Sequence, residues 1–186
     1  MNPLQIPNMI FSFRGEWDEL IRIHPSISRI FALVVLPFSL LPPAMIYYAG
    51  ERYGDVFVQG VSPDHWHTAA GIFLLAELLT VPVMAWLMHL ASRANDVAAD
   101  YHDCFTVAAI APIPMWVSSL VLFIPNLAVG VVVGALALAC SLALTYRGAY
   151  TLFHMHEDLR ALQMATVVTG AGLLAWLVLM QIVLLH

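Results

Sequence analysis

Charge is scarce in this sequence, and lysine is absent from it. Only 10% of the 186 residues are charged, against about 25% in a typical soluble domain, and all seven basic residues are arginines. The hydrophobic share is 61% and the mean hydropathy is +0.85. The sequence has too few polar residues to cover the surface of a soluble protein. We therefore expect lipid to form the outer surface of the protein.

Other absences exclude further classes of protein. The net charge of -5 argues against a nucleic-acid partner, which would require a basic face. The two cysteines, Cys104 and Cys140, are far apart and form neither a disulfide framework nor a paired zinc motif. No nucleophile elbow, zinc-protease, phosphate-loop or dinucleotide motif occurs, so we do not expect an enzyme. The N-terminus has no basic region before a short apolar run, so we expect no cleaved signal peptide.

Long apolar segments dominate what is present. Five are long enough to cross a hydrocarbon layer of about 30 Å, at 30–50, 68–91, 105–124, 127–146 and 164–185. Backbone groups in lipid must bond within their own segment, so these segments are predicted to be helices. The sequence thus predicts an all-α polytopic membrane protein with five transmembrane helices, forming one domain over 1–186.

Prolines interrupt the first three of these segments. Each proline removes a backbone donor and crowds the preceding turn, so kinked helices are expected. The freed carbonyls could line a polar pathway, or the prolines could simply bend the helices. The prolines are Pro37, Pro42, Pro43, Pro82, Pro112 and Pro114.

The arginines predict an orientation. In a five-span arrangement one side of the membrane carries Arg14, Arg22, Arg29, Arg93, Arg147 and Arg160, and only Arg52 lies on the other. Basic flanks stay on the cytoplasmic side, so we expect a cytoplasmic N-terminus and a C-terminus outside. The segment 11–24 mixes aromatic, aliphatic and charged residues and suits a short interfacial helix, with a disordered polar leader as the alternative.

Glu77 is the only acidic residue deep inside a predicted span. A carboxylate there is costly, so the side chain should be protonated, hydrogen-bonded or next to a wet cavity. Glu77 is therefore a candidate intramembrane functional site. The alternative is a neutral acid bonded to a neighbouring carbonyl or hydroxyl group.

Small residues recur at helical spacing in the fourth predicted span. This stripe would let another helix approach closely, in the same chain, in a homo-oligomer or in another membrane protein. The residues are Gly130, Gly134, Ala137 and Ser141.

Eight histidines are present, several next to acidic residues near the predicted cytoplasmic ends. Nitrogen, sulfur and carboxylate ligands of this kind could bind a divalent metal ion or copper. No recognised metal-motif spacing is present, so solvated loop residues are the alternative. The candidate ligands are His102, Asp103, Cys104, His154 and His156.

Four stretches in one order resemble a known family. They are FTVAAIAPIP at 105–114, IPN at 124–126, LALTYRG at 142–148 and HEDLRAL at 156–162. The chain resembles the Yip family of five-span membrane proteins. The resemblance implies a membrane fold without a catalytic residue. Because the segment before the first span is short, the bacterial inner-membrane members are the expected branch, rather than the eukaryotic members that interact with Rab-type GTPases.

The sequence predicts a non-enzymatic inner-membrane protein that acts through helix packing, as a scaffold, lipid-organising factor or accessory subunit. Membrane lipids and a second membrane protein, or further copies of this chain, are the expected partners. The alternative is a small oligomeric transporter or channel for protons or a divalent metal ion, using Glu77 and the histidines. A third hypothesis is metal sensing or storage.

Overall fold

The computed structural model describes residues 22–57, 60, 63–94, 99–152, 166, 170–174, 177 and 181. Every regular element within these residues is a helix. Four helical stretches are long and apolar enough to cross a membrane, and we call them the first to fourth spans. Their bounds are Ile27–Gly54, Asp64–Arg93, Tyr101–Phe123 and Leu127–Leu152.

The four spans agree with the apolar segments predicted at 30–50, 68–91, 105–124 and 127–146, so the all-helical fold is confirmed, with four helices long and apolar enough to cross a membrane. The predicted interfacial helix at 11–24 lies almost entirely outside the described residues. The predicted fifth span at 164–185 lies mostly outside them. These two elements therefore stay predictions.

The first span consists of several helical pieces. Helix α1 (Ile27–Ile30) leads into a π-helical turn (Phe31–Val35), followed by α2 (Leu36–Ser39) and α3 (Leu41–Phe57). Pro37 lies at the start of α2, and it cannot donate a backbone hydrogen bond to the turn before it. The π-helical turn therefore ends next to the position where the missing N–H of Pro37 removes a normal α-helical hydrogen bond.

The second and third spans respond differently to proline. Helix α4 (Pro63–Ala94) continues through Pro82 without interruption. The third span is broken between α5 (Tyr101–Ile110) and α6 (Ile113–Ser118), and a 3₁₀ segment (Ser119–Phe123) completes it.

Helix α7 (Leu127–Leu152) forms the fourth span as one uninterrupted helix. Asn126 caps its N-terminus, because its side-chain oxygen accepts from the backbone N–H groups of Ala128 at 3.0 Å and Val129 at 3.3 Å. The short connection at 124–126 therefore ends one span and starts the next.

Contacts at both ends show that the first and third spans run in the same direction, and His67, near the start of the second span, lies 3.2 Å (Nε2 to Oε1) from Glu51, near the end of the first, so the second span runs in the opposite direction. At one end the rings of His24 and His102 stack with centroids 3.9 Å apart, which joins the starts of the first and third spans. At the other end Tyr48 and Phe123 meet edge to face at 5.0 Å. We call these the His102 end and the Phe123 end.

The third span lies at the centre of the described helices. All residues from Cys104 to Ile110 are buried, and Trp116 is only 2% exposed. The fourth span lies at the outside, where Leu127 and Val131 are 75% and 64% exposed. Such apolar exposure is what a lipid-facing helix requires.

Two glycines of α3 form a groove for Trp66 of α4. A Cβ atom at Gly54 would lie 2.7 Å from the indole nitrogen, and one at Gly50 would overlap the ring. Only glycine therefore lets the first two spans approach this closely.

Candidate functional site

Glu77 lies near the middle of the second span and is tied to the third span. The indole Nε1–H of Trp116, on α6, donates a hydrogen bond to Glu77 Oε2. The other carboxyl oxygen, Oε1, has no hydrogen-bond partner within the described part of the chain. Within the described residues the protein thus bonds one of the two carboxyl oxygens.

A cavity of about 340 Å³ lies beside this carboxyl group. All four spans contribute to its wall, and Gly172 and Leu173 from the C-terminal region join them. Its volume falls within the range of about 300–1,000 Å³ typical of small-molecule sites. The wall is mostly apolar; its polar members are Glu77, Thr80, Ser118, Ser119, Ser141, Thr145 and the Trp116 indole.

Hydroxyl protons in this wall are used within the protein. Thr80, Ser118, Ser119 and Thr145 donate to backbone carbonyls three or four residues earlier, at 2.6–2.9 Å. Such bonds satisfy hydroxyl groups inside a membrane helix. Among the described side chains of the wall, Glu77 is therefore the one with an oxygen atom that makes no hydrogen bond.

The small-residue stripe of the fourth span faces the same cavity. Gly130 and Gly134 line it, and a Cβ atom at either would meet no described atom within 4 Å. Ala137 is 7% exposed, and Ser141 donates to the carbonyl of Ala111 at the break in the third span. The predicted packing role of the stripe stays a prediction, since the two glycines also leave room in the cavity.

The predicted metal ligands divide into three groups. His102 and Asp103 lie together in the first turn of α5, with His102 Nδ1 3.6 Å from Asp103 Oδ1. Cys104 is completely buried in the core instead. His154 and His156 lie outside the described residues.

His24 joins His102 and Asp103, a grouping that the sequence did not predict. One potential ligand atom from each of the three residues lies within 4.8 Å of the others. The sequence offered one signal for this grouping, the alternating direction of successive spans. Alternation places the start of the first span at the same end as the start of the third. The cluster lies roughly 20 Å from Trp116 along the third span, so it is separate from the cavity.

One family model matches the chain. Described as the Yip1 domain, it covers residues 8–179. The comparisons with curated proteins and with solved structures gave no match. The family match spans far more than half of the sequence and includes all four described spans. The chain therefore belongs to the Yip1 domain family.

Proposed function

We propose that this protein is a non-enzymatic, lipid-organising membrane protein that holds a neutral, hydroxyl-bearing lipid in the cavity beside Glu77. The observation that carries the proposal is the unused Glu77 oxygen in a mostly apolar wall. An alkyl chain would cover the apolar wall, and its hydroxyl group would pair with the carboxyl group. A hydroxyl both donates and accepts, so it can bind Glu77 in either protonation state.

The composition of the cavity wall favours a bound lipid over a water-filled pathway. The wall contains no lysine, arginine or histidine among the described residues, and the hydroxyl protons are already bonded to carbonyls. An aqueous pathway needs polar groups that are free to replace water around an ion. The same lack of a histidine beside Ser118 and Ser119 supports a non-enzymatic role, because an activated serine needs a neighbouring base.

The protein would act in a bacterial inner membrane with its His102 end in the cytoplasm. Arg22, Arg29, Arg93 and Arg147 all belong to this end in the antiparallel arrangement, and Arg52 belongs to the other. This asymmetry supports a cytoplasmic N-terminus. We expect membrane lipids, further copies of this chain or another membrane protein as partners.

Photo-crosslinking in nanodiscs tests the lipid site. Two diazirine probes of equal chain length are compared, a long-chain alcohol and the corresponding alkane, and the labelling ratio is measured. In Glu77→Leu the preference for the alcohol should fall about fivefold, because a buried hydrogen bond contributes about 1 kcal/mol. Glu77→Gln should keep most of the preference, since its amide still pairs with a hydroxyl group.

A matched pair of glycine variants tests the cavity itself. Gly134→Leu should reduce labelling by both probes, because the new side chain enters the cavity. Gly71→Leu is the control: Gly71 is exposed on the second span, and a Cβ atom there also meets no described atom within 4 Å. Equal labelling of the two glycine variants, or an unchanged alcohol preference in Glu77→Leu, would rule out the proposed site.

Transport of protons or a divalent metal ion is the second candidate. It is favoured by the position of Glu77 at a cavity in mid-span. Proteoliposomes with an imposed proton or Zn²⁺ gradient should then show flux that Glu77→Gln abolishes. Flux no faster than in protein-free liposomes would exclude this function without affecting the proposal of a lipid site.

A further inference from the structure

We propose that His24, His102 and Asp103 bind a divalent first-row transition ion, such as Zn²⁺, that joins the starts of the first and third spans. His24 lies just before the first span, and His102 and Asp103 lie in the first turn of α5. The site is independent of the proposed lipid cavity, which lies roughly 20 Å away along the third span.

The orientation of His102 is fixed by a backbone carbonyl. Its Nε2 lies 2.7 Å from the carbonyl oxygen of Pro25. A carbonyl can only accept, so Nε2 carries the proton, and Nδ1 of the neutral ring carries a lone pair. Metal-binding histidines commonly donate their second ring nitrogen to a carbonyl in this way, which fixes the tautomer and aims the ligand nitrogen.

The lone pair of His102 Nδ1 has no protein partner. This atom is buried and lacks a hydrogen bond within the described residues. It faces Asp103 Oδ1 at 3.6 Å, which is too long for a hydrogen bond. A bound cation would stabilise two electron-pair donors that face each other at this distance.

His24 completes the set of potential ligands. Its ring stacks on His102 with an angle of 10° between the planes, and its φ is 42°. A non-glycine residue in this left-handed region is strained, more so before Pro25, and such strain often marks a functional position. The strained backbone at His24 places its imidazole close to the unpaired Nδ1 of His102.

Distances and ligand types suit zinc or a similar ion. Tetrahedral zinc with bonds of about 2.0–2.2 Å has ligand atoms roughly 3.3 Å apart. The His102 and Asp103 atoms are already within a few tenths of an ångström of this separation. The ligand atom of His24, an exposed residue, lies within 4.8 Å of the other two, and the ring must turn out of the stack to bring this atom to the separation that zinc needs. Two imidazoles and a carboxylate leave the fourth position to water.

Metal titration of the full chain tests the proposal. The protein is purified without a polyhistidine tag, stripped with a chelator, placed in nanodiscs and titrated with Zn²⁺ against a chromogenic chelator. One high-affinity Zn²⁺ per chain is expected, and Co²⁺ should give the visible absorption of a low-coordinate nitrogen and oxygen site. His24→Ala and Asp103→Asn should each weaken binding at least tenfold, and both keep the bond between His102 and Pro25.

His67→Ala provides the matched control. His67 lies at the Phe123 end, with Nε2 3.2 Å from Glu51 Oε1, so it is also a histidine beside a carboxylate, but among the described residues the pair has no third potential ligand close by. Its replacement should leave the affinity unchanged. The proposal is overturned if the stripped protein binds no Zn²⁺. It is also overturned if Zn²⁺ binds equally well to His24→Ala and Asp103→Asn, or is lost only when His154 and His156 are replaced.

Discussion

Replacing Trp116 by Phe tests the bond between the second and third spans. Trp116 is 2% exposed and donates to Glu77 Oε2. The variant leaves that oxygen unpaired, which costs about 1–3 kcal/mol, and the smaller ring leaves a void that costs about 1 kcal/mol more. We expect the free energy of unfolding to fall by about 2–4 kcal/mol.

A double-mutant cycle with Glu77→Leu separates the hydrogen bond from the void. Removing both partners relieves the unpaired groups, so the double variant should lose less stability than the two single losses together. Hydrogen bonds between helices in membranes average about 0.6 kcal/mol and reach about 1.7. A charged or acidic acceptor belongs in the upper part of this range, so a coupling of about 1 kcal/mol is expected.

The assay is equilibrium unfolding in mixed micelles with increasing SDS, followed by circular dichroism so that the signal does not depend on tryptophan. Trp86→Phe is the control, because Trp86, on the second span, is also a tryptophan within a span but is 54% exposed. Its effect should stay within about 0.5 kcal/mol. A coupling within about 0.3 kcal/mol of zero would refute the stabilising role of the bond.

Three further predictions use the same unfolding assay. Gly50→Ala should cost about 1–3 kcal/mol because its new methyl group overlaps Trp66, whereas Gly71→Ala, with open space at Cβ, should be neutral or slightly stabilising; equal effects would contradict the groove. Asn126→Ala should cost about 1 kcal/mol through loss of the cap on α7, and Asn126→Asp should restore most of it; a failure of Asp to restore stability would argue against capping. Ser141→Ala should cost about 0.6–1.7 kcal/mol through loss of its bond to the third span, and no measurable loss would show that this bond is energetically neutral.

Sequence reasoning located the four described spans because the hydropathy of a membrane helix is a local property. The helices extend a few residues beyond the predicted segments, as from 68–91 to Asp64–Arg93. Hydropathy identifies the apolar stretch, whereas hydrogen bonding continues into the polar flanks. The break before Ile113 follows directly from Pro112, yet helix α4 continues through Pro82. The effect of a proline therefore depends on its neighbours as well as on its own chemistry.

The contact partners of the candidate site residues could not be predicted from the sequence. Glu77 was predicted to be protonated, hydrogen-bonded or next to a wet cavity, and it accepts a hydrogen bond and lines a cavity. Its partner Trp116 is 39 residues away, and only the rotation of the two helices about their axes brings them together. The same limit applies to His24 and His102, whose contact depends on the order of the spans rather than on any local motif.

The bond from Ser141 to the carbonyl of Ala111 has a consequence for how the protein is made. The third span is synthesised before the fourth, so if it entered the membrane alone the carbonyl at its break would lack this donor. The connection at 124–126 is short, and the next span follows at once. The third and fourth spans should therefore insert together as a hairpin, and a nascent chain released before Ser141 would keep an incomplete break within the lipid.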